Sequence, residues 1–218
     1  MIIIGIDPGP LQSGVVFFDT ETAEVMSSDV EKNPTIRCAL RAMYLPHTLV
    51  QEMPASYGMA VGASILETCV QVGRFMECGT CTKATMYRKT ITTYICGQAK
   101  ANASMVRQSI IDMYGGKEEA IGGKKCKQCK GKGTVNRGTE GCLQCEGTGW
   151  SNPPGPLYHV KTHAWDALAV AIAYAIKAGY LNPSVVNPGG LGSNFQSPAH
   201  DGLSGLSKGN SIPQDEPF

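Results

Sequence analysis

The chain has 218 residues, with 19 Lys+Arg against 18 Asp+Glu and a net charge of +1. This length suits one domain, or one domain with a small module, and can bury a sizeable core. The balance excludes a strongly basic DNA-coating protein and an acidic tail protein, and with no apolar run of about 18 residues no membrane span is expected.

Ile2 to Ile6 form a short apolar, β-branched run that predicts a buried central strand. The start of the chain has no charged n-region and no cleavage site, so a cytoplasmic protein is expected. Asp7-Pro8-Gly9 breaks the chain, and Gly14–Asp19 predicts a second strand. Glu24–Ser28 predicts a third, completing an antiparallel meander. A short helix over 36–44 follows, then a strand from Thr48 to Gln51 ending at Glu52. Pro54 forces a loop. Residues 58–77 carry helical periodicity in Met59, Ala63, Leu66, Val70 and Phe75. A short strand near 84–87 and helices over 88–95 and 102–114 come next. Gly, Lys and Cys then dominate from Gly115 to Pro156, the apolar periodicity disappears, and Pro153-Pro154-Gly155-Pro156 closes the stretch. His163–Lys177 is a strongly apolar helix. Residues 182–218 hold 21 Gly, Pro, Ser or Asn among 37, a composition that cannot offset chain entropy, so a disordered tail is expected. Strands first, then strand–helix alternation and a last helix returning to the sheet predict a mixed α/β layer protein.

The neutral total hides two regions. Residues 1–60 carry seven acids and three bases, whereas residues 74–107 carry six bases and one acid. A carboxylate cluster beside a basic face suits a metal-dependent nuclease, because one holds the cation and the other the phosphates.

Four of the nine cysteines form two Cys-x-x-Cys pairs, Cys126/Cys129 and Cys142/Cys145. An odd count without a secretion signal argues for reduced thiols and metal rather than disulfides. This spacing predicts a closed structural zinc site, since two intervening residues let both sulfurs of a turn reach one tetrahedral ion. Each pair runs on into Gly-x-Gly (Gly131/Gly133 and Gly147/Gly149), which lets backbone amides point at the thiolates. Over about 25 residues the repeat resembles the zinc motif of DnaJ-type chaperones, but the chain has no J-domain signature. The flanking lysines are either phosphate contacts or a solvated basic knuckle. Cys78-Gly79-Thr80-Cys81 has no partner pair and is read as ordinary thiols.

Asp7 and Glu52 each end a predicted strand, where a buried carboxylate is costly unless paired or metal-bound. His163 and Asp166 share one side of a helix start. Together they form a constellation able to hold two divalent ions for phosphodiester cleavage. Gly5-Ile6-Asp7-Pro8-Gly9, the strand-end Glu52 and Asp166-Ala167-Leu168-Ala169-Val170-Ala171-Ile172 resemble the RuvC-type Holliday junction resolvases of the RNase H-like superfamily. The resemblance implies an RNase H-like mixed five-stranded sheet flanked by helices. It makes residues 1–114 and 158–180 the nuclease core, with a zinc-ribbon-like insertion at 115–157 and a tail at 181–218. It implies that Asp7, Glu52, His163 and Asp166 hold two Mg²⁺ (or Mn²⁺) ions, whereas the zinc insertion, expected to hold one structural Zn²⁺, and the long tail depart from that family. It assigns Arg88, Lys89 and Lys100 to DNA phosphates and makes Tyr57 the candidate for a junction wedge. A homodimer acting on branched DNA is expected, with the 58–77 helix as its interface, and the small size, insertion and divergence suggest a bacteriophage member. Two other functions fit the residues: a nuclease for flaps or forks without strict junction symmetry, and a non-catalytic zinc-containing DNA-binding protein.

Overall fold

The structure, a computed structural model, describes residues 1–43, 47–56, 58, 60–78, 82–135 and 140–182. Tyr57, Cys81 and nearly all of the expected tail lie outside the described residues.

Five strands make the main sheet: β1 (Ile2–Asp7), β2 (Gln12–Asp19), β3 (Glu24–Lys32), β4 (His47–Met53) and β5 (Thr82–Tyr87). Their order is β3-β2-β1-β4-β5. The meander pairs antiparallel, while β1, β4 and β5 run parallel. Successive side chains in a strand face opposite ways, and both faces are covered. Ile3, Val16, Phe18, Val50 and Met86 enter the larger core with α3 (Arg88–Cys96), α4 (Ala103–Met113) and α6 (Ala164–Lys177). Ile4, Ile6, Val15 and Leu49 face the other way, onto Ile36 and Leu40 of α1 (Asn33–Ala42) and Phe75 of α2 (Ala63–Met76).

The sequence reading starts α1 three residues late. Pro34 in its first turn, where the missing N–H costs nothing, favours the earlier start. It starts α2 five residues early, and the helix begins only after Gly62. α3 leaves β5 without a loop and ends at Gly97, whose φ of 69° suits glycine. The Asn102 side chain caps α4 by accepting from the Met105 amide.

α6 is nearly all buried, and small residues let it lie close on the sheet. A Cβ on Gly5 of β1 would stand 2.3 Å from the Ala167 carbonyl oxygen, and one on Gly14 of β2 would stand 2.3 Å from that of His163. These two glycines fix how near the start of α6 comes to the ends of β1 and β2.

Between α4 and α6 the chain forms α5 (Lys117–Ala120) and then a two-stranded ribbon of β6 (Gly122–Lys125) and β9 (Trp150–Pro154). The ribbon carries both Cys-x-x-Cys turns and the short pair β7 (Thr134–Val135) and β8 (Glu140–Gly141). Pro153 and Pro154, read from the sequence as a closing loop, end β9. Strand pairing there tolerates proline because the ribbon is all edge.

Candidate metal centres

Asp7 and Glu52 stand at the carboxyl ends of adjacent parallel strands. Ile6 pairs with Gln51, and each acid lies one step further along. Counting by twos from Ile3 and Val50, which face α6, puts both acids on the α6 side of the sheet. The first turn of α6 meets them there. His163 Nδ1 lies 3.2 Å from Asp7 Oδ2. Ligand atoms of Asp7, His163 and Asp166 all lie within 4.8 Å of one another. The His163 side chain is exposed and makes no side-chain cap to α6, so its imidazole is free to act as a ligand.

Arg88 completes the cluster. It follows β5 directly, and β5 pairs Met86 with Glu52. Its guanidinium Nη1 donates to Asp166 Oδ1 at 2.7 Å and to Glu52 Oε2 at 3.3 Å. Sequence reasoning read Arg88 as a phosphate contact and missed this placement. The available signal was its position at a strand end beside the strand of Glu52. Of the other basic residues, Lys89 and Lys100 have exposed side chains. Arg107 instead stacks over the Trp165 ring, 4.5 Å from its centroid, and ties α4 to α6.

Burial pushes the Asp7 carboxyl up to about 7, reinforced by the charges of Asp166 and Glu52 and opposed by His163. Burial also raises Glu52, against the pull of Arg88. Three carboxylates, from the ends of β1 and β4 and the first turn of α6, face the Arg88 guanidinium and the His163 imidazole, so the cluster is short of positive charge. Oxygen donors and one imidazole suit a hard divalent cation, and this donor set fits the metal site expected from the sequence. Replacing Arg88 with Gln leaves Glu52 and Asp166 without their shared counter-charge. This is expected to cost about 2 kcal/mol in magnesium-free buffer. Saturating Mg²⁺ is expected to raise the melting temperature of the variant more than that of the wild type. Equal melting of the two proteins without Mg²⁺ would rule out that role for Arg88.

The second centre is the cysteine cluster. Cys126, Cys129, Cys142 and Cys145 are buried and converge. Cys126 Sγ lies 3.8 Å from Cys142 Sγ, and Cys129 Sγ lies 3.7 Å from Cys145 Sγ. A tetrahedron with Zn–S bonds of about 2.3 Å has edges of about 3.8 Å, so the sulfurs are spaced for zinc. The Gly133 and Gly149 amides donate to Cys129 and Cys145 at 3.3 and 3.2 Å. Although burial opposes it, the amides of Gly133 and Gly131 help bring the Cys129 thiol down to about 7. A Cβ on Gly133 would stand 2.2 Å from the Gly147 carbonyl oxygen, so the two turns interlock through glycine. Gln128 and Gln144, not singled out from the sequence, accept from the opposite pair's Cys142 and Cys126. Their signal was the Gln that precedes the second Cys of each pair.

No protein-family model matches this chain, and no curated protein matches it. Solved structures do. The Thermus thermophilus RuvC structure matches with a TM-score of 0.51 at 15% identity, covering 83% of this chain and 98% of that one. The fold is RuvC-like. T. thermophilus RuvC in complex with a Holliday junction substrate also matches, with a TM-score of 0.51 at 15% identity, covering 82% of this chain and 95% of that one. On this RuvC-like fold the carboxylate cluster occupies the carboxyl ends of the parallel strands, where open α/β sheets place their ligands.

Proposed function

We propose that this protein is a crossover junction endodeoxyribonuclease, a RuvC-type Holliday junction resolvase of bacteriophage origin. The observation that carries this reading is the convergence of Asp7, His163 and Asp166 at one end of a RuvC-like sheet, with Glu52 on the neighbouring strand end joined to Asp166 through Arg88. One of the similar structures is a complex with Holliday junction substrate, which supports branched DNA as the partner. Asp7, Glu52, His163 and Asp166 would hold two Mg²⁺ or Mn²⁺ ions, and Cys126, Cys129, Cys142 and Cys145 one structural Zn²⁺. Divalent ions bound there supply a water of lowered pKa and charge to balance the departing 3′ oxygen.

The chain's own residues prepare that chemistry. Asp7 and Glu52 are held by the sheet, so their carboxylates need little reorganisation. The His163 imidazole, hydrogen-bonded to Asp7, is placed to orient an attacking water. Lys89 and Lys100 would bind phosphates, and Arg88 adds its charge at the cluster. Tyr57 remains the proposed junction wedge. Leu66 and Val70 on α2 are exposed apolar residues, and they support α2 as the interface of a two-fold homodimer able to nick two strands symmetrically. Among the described residues no helix is long and apolar enough to cross a membrane; the proposed site of action is the host cytoplasm.

The test is cleavage of labelled four-way junctions, flaps, forks and duplex in Mg²⁺. The expected result is paired, symmetric nicks in the junction, with duplex left intact. Preferred cutting of flaps or forks would replace the resolvase reading with a general branched-DNA nuclease. Binding without any cleavage would make the protein a non-catalytic zinc-containing DNA-binding protein.

A further inference from the structure

The two cysteine turns share a backbone but not a charge. Lys130 and Glu146 occupy equivalent positions with φ of 53° and 50°, and Gly131 and Gly147 follow at 86° and 80°. The Cys126 amide donates to the Gly149 carbonyl and the Cys142 amide to that of Gly133, each at 2.9 Å. At three matched positions the first knuckle has Lys127, Lys130 and Lys132 where the second has Leu143, Glu146 and Thr148. All three lysines are exposed, and none forms an ion pair with a described residue. Lys125 adds to the same side, its aliphatic chain lying over Gly131. Lys124, by contrast, is neutralised by Glu118. Because the second knuckle makes the same turn without lysine, the three charges are not needed to build it.

The module is also fixed in place. The Leu157 amide donates to the Ala120 carbonyl at 2.8 Å and the Gly155 amide to that of Ile121 at 2.9 Å. Ala120, Leu157 and Val160 belong to the core that contains α6. Nine residues, 155–163, join the end of β9 to α6, and His163 is the last of them. The ribbon that carries the basic knuckle is therefore rooted in the same core as α6, the helix whose start bears His163 and Asp166.

We propose that the first knuckle is a second DNA-binding site, with Lys127, Lys130 and Lys132 gripping the phosphates of an arm of the DNA engaged at the carboxylate cluster. This rests on the nuclease reading above. Each phosphate neutralised releases counterions, so each lysine that makes a contact adds about one to the slope of log affinity against log salt. The opposite knuckle, with Leu143 and Glu146, faces no such demand.

The test titrates the full-length, zinc-loaded protein with a labelled four-way junction, calcium replacing magnesium, over about 50–200 mM KCl. The variant is Lys127→Gln, Lys130→Asn and Lys132→Gln, with Asn at the position of positive φ because it tolerates that backbone. The expected result is a slope smaller by about 2 to 3 and at least about tenfold weaker binding near 100 mM salt, with zinc content and melting unchanged. Should the triple variant lose zinc, Lys127→Gln alone is read for a slope reduction of about one, since the second knuckle accepts Leu143 at that position. A wild-type slope in a zinc-loaded variant overturns the knuckle site and leaves the nuclease reading standing. Absence of salt-dependent junction binding by the wild type overturns both.

Discussion

An Asp7→Asn variant is expected to lose junction cleavage in Mg²⁺ by at least about a thousandfold, and at the same time to be more stable than the wild type near neutral pH without magnesium. The first effect follows from losing a carboxylate common to the whole cluster. The second follows from the cost of keeping Asp7 charged. Its folded pKa, about 7, lies above the ordinary value of 3.8 because of burial, then Asp166 and Glu52. A raised acid favours folding at low pH, where both states hold the proton. That advantage is lost as pH rises from about 4 to about 7, because the unfolded chain gives up the proton first. A shift of this size is worth on the order of 3–4 kcal/mol above pH 7. Asn keeps the shape and removes the charge, so the stability of the variant should be flatter over that window. Mg²⁺ should then stabilise the wild type and leave the variant nearly unchanged. The comparison is a melting series in magnesium-free buffer without a chelator, which spares the zinc. Parallel pH profiles for the two proteins would sink the idea that Asp7 is held at a cost. Wild-type cleavage by the variant would sink the site.

Removing zinc is expected to unfold the cysteine module and leave the sheet domain folded. The four thiols form their own small cluster, joined by the half-buried Val135, so little apolar burial holds the module without metal. Structural zinc contributes about 10–16 kcal/mol in zinc-finger peptides near pH 7, far more than such a cluster can replace. The larger core has Ala120, Leu157 and Val160 at the root of the module but none of the four cysteines. Purified protein should carry about one zinc per chain. Chelation, or Cys142→Ser, should open residues 122–154 to protease while the main melting transition persists. Trp150 sits edge-on to Tyr158 at 6.2 Å, and its fluorescence should report the opening. Less than about half a mole of zinc per chain, or unchanged proteolysis after chelation, would remove zinc from the account.

The sheet and the acids at its strand ends were legible in the sequence for physical reasons. A β-branched run ending in Asp7-Pro8-Gly9 has few structures open to it, and an acid at the end of a buried strand invites a reason beyond packing. The cysteine spacing carries its geometry in the chain itself, and the interlocking glycines follow from the same repeat. Arg88 was not legible as part of the cluster. Its place depends on β5 pairing beside β4 in one register, a long-range fact with no local pattern. The β6–β9 ribbon was hidden because Gly122-Gly123 and Pro153-Pro154 carry loop signals, and pairing across the module overrides them. The start of α2 was misplaced because Met59 fits the helical period, although the helix begins after Gly62.

α6 both completes the larger core and delivers His163 and Asp166 to Asp7, from which His163 stands 156 positions away in the chain. The order of synthesis therefore governs the chemistry. Strands made first can pair and begin to pack, but the carboxylates at their ends meet no partner from α6 until nearly the whole described chain has left the ribosome. Helix packing and site assembly are one event, so in a half-folded chain the strand-end acids still lack the His163 and Asp166 side chains. For the nuclease proposed above, cutting would therefore be withheld until folding is finished.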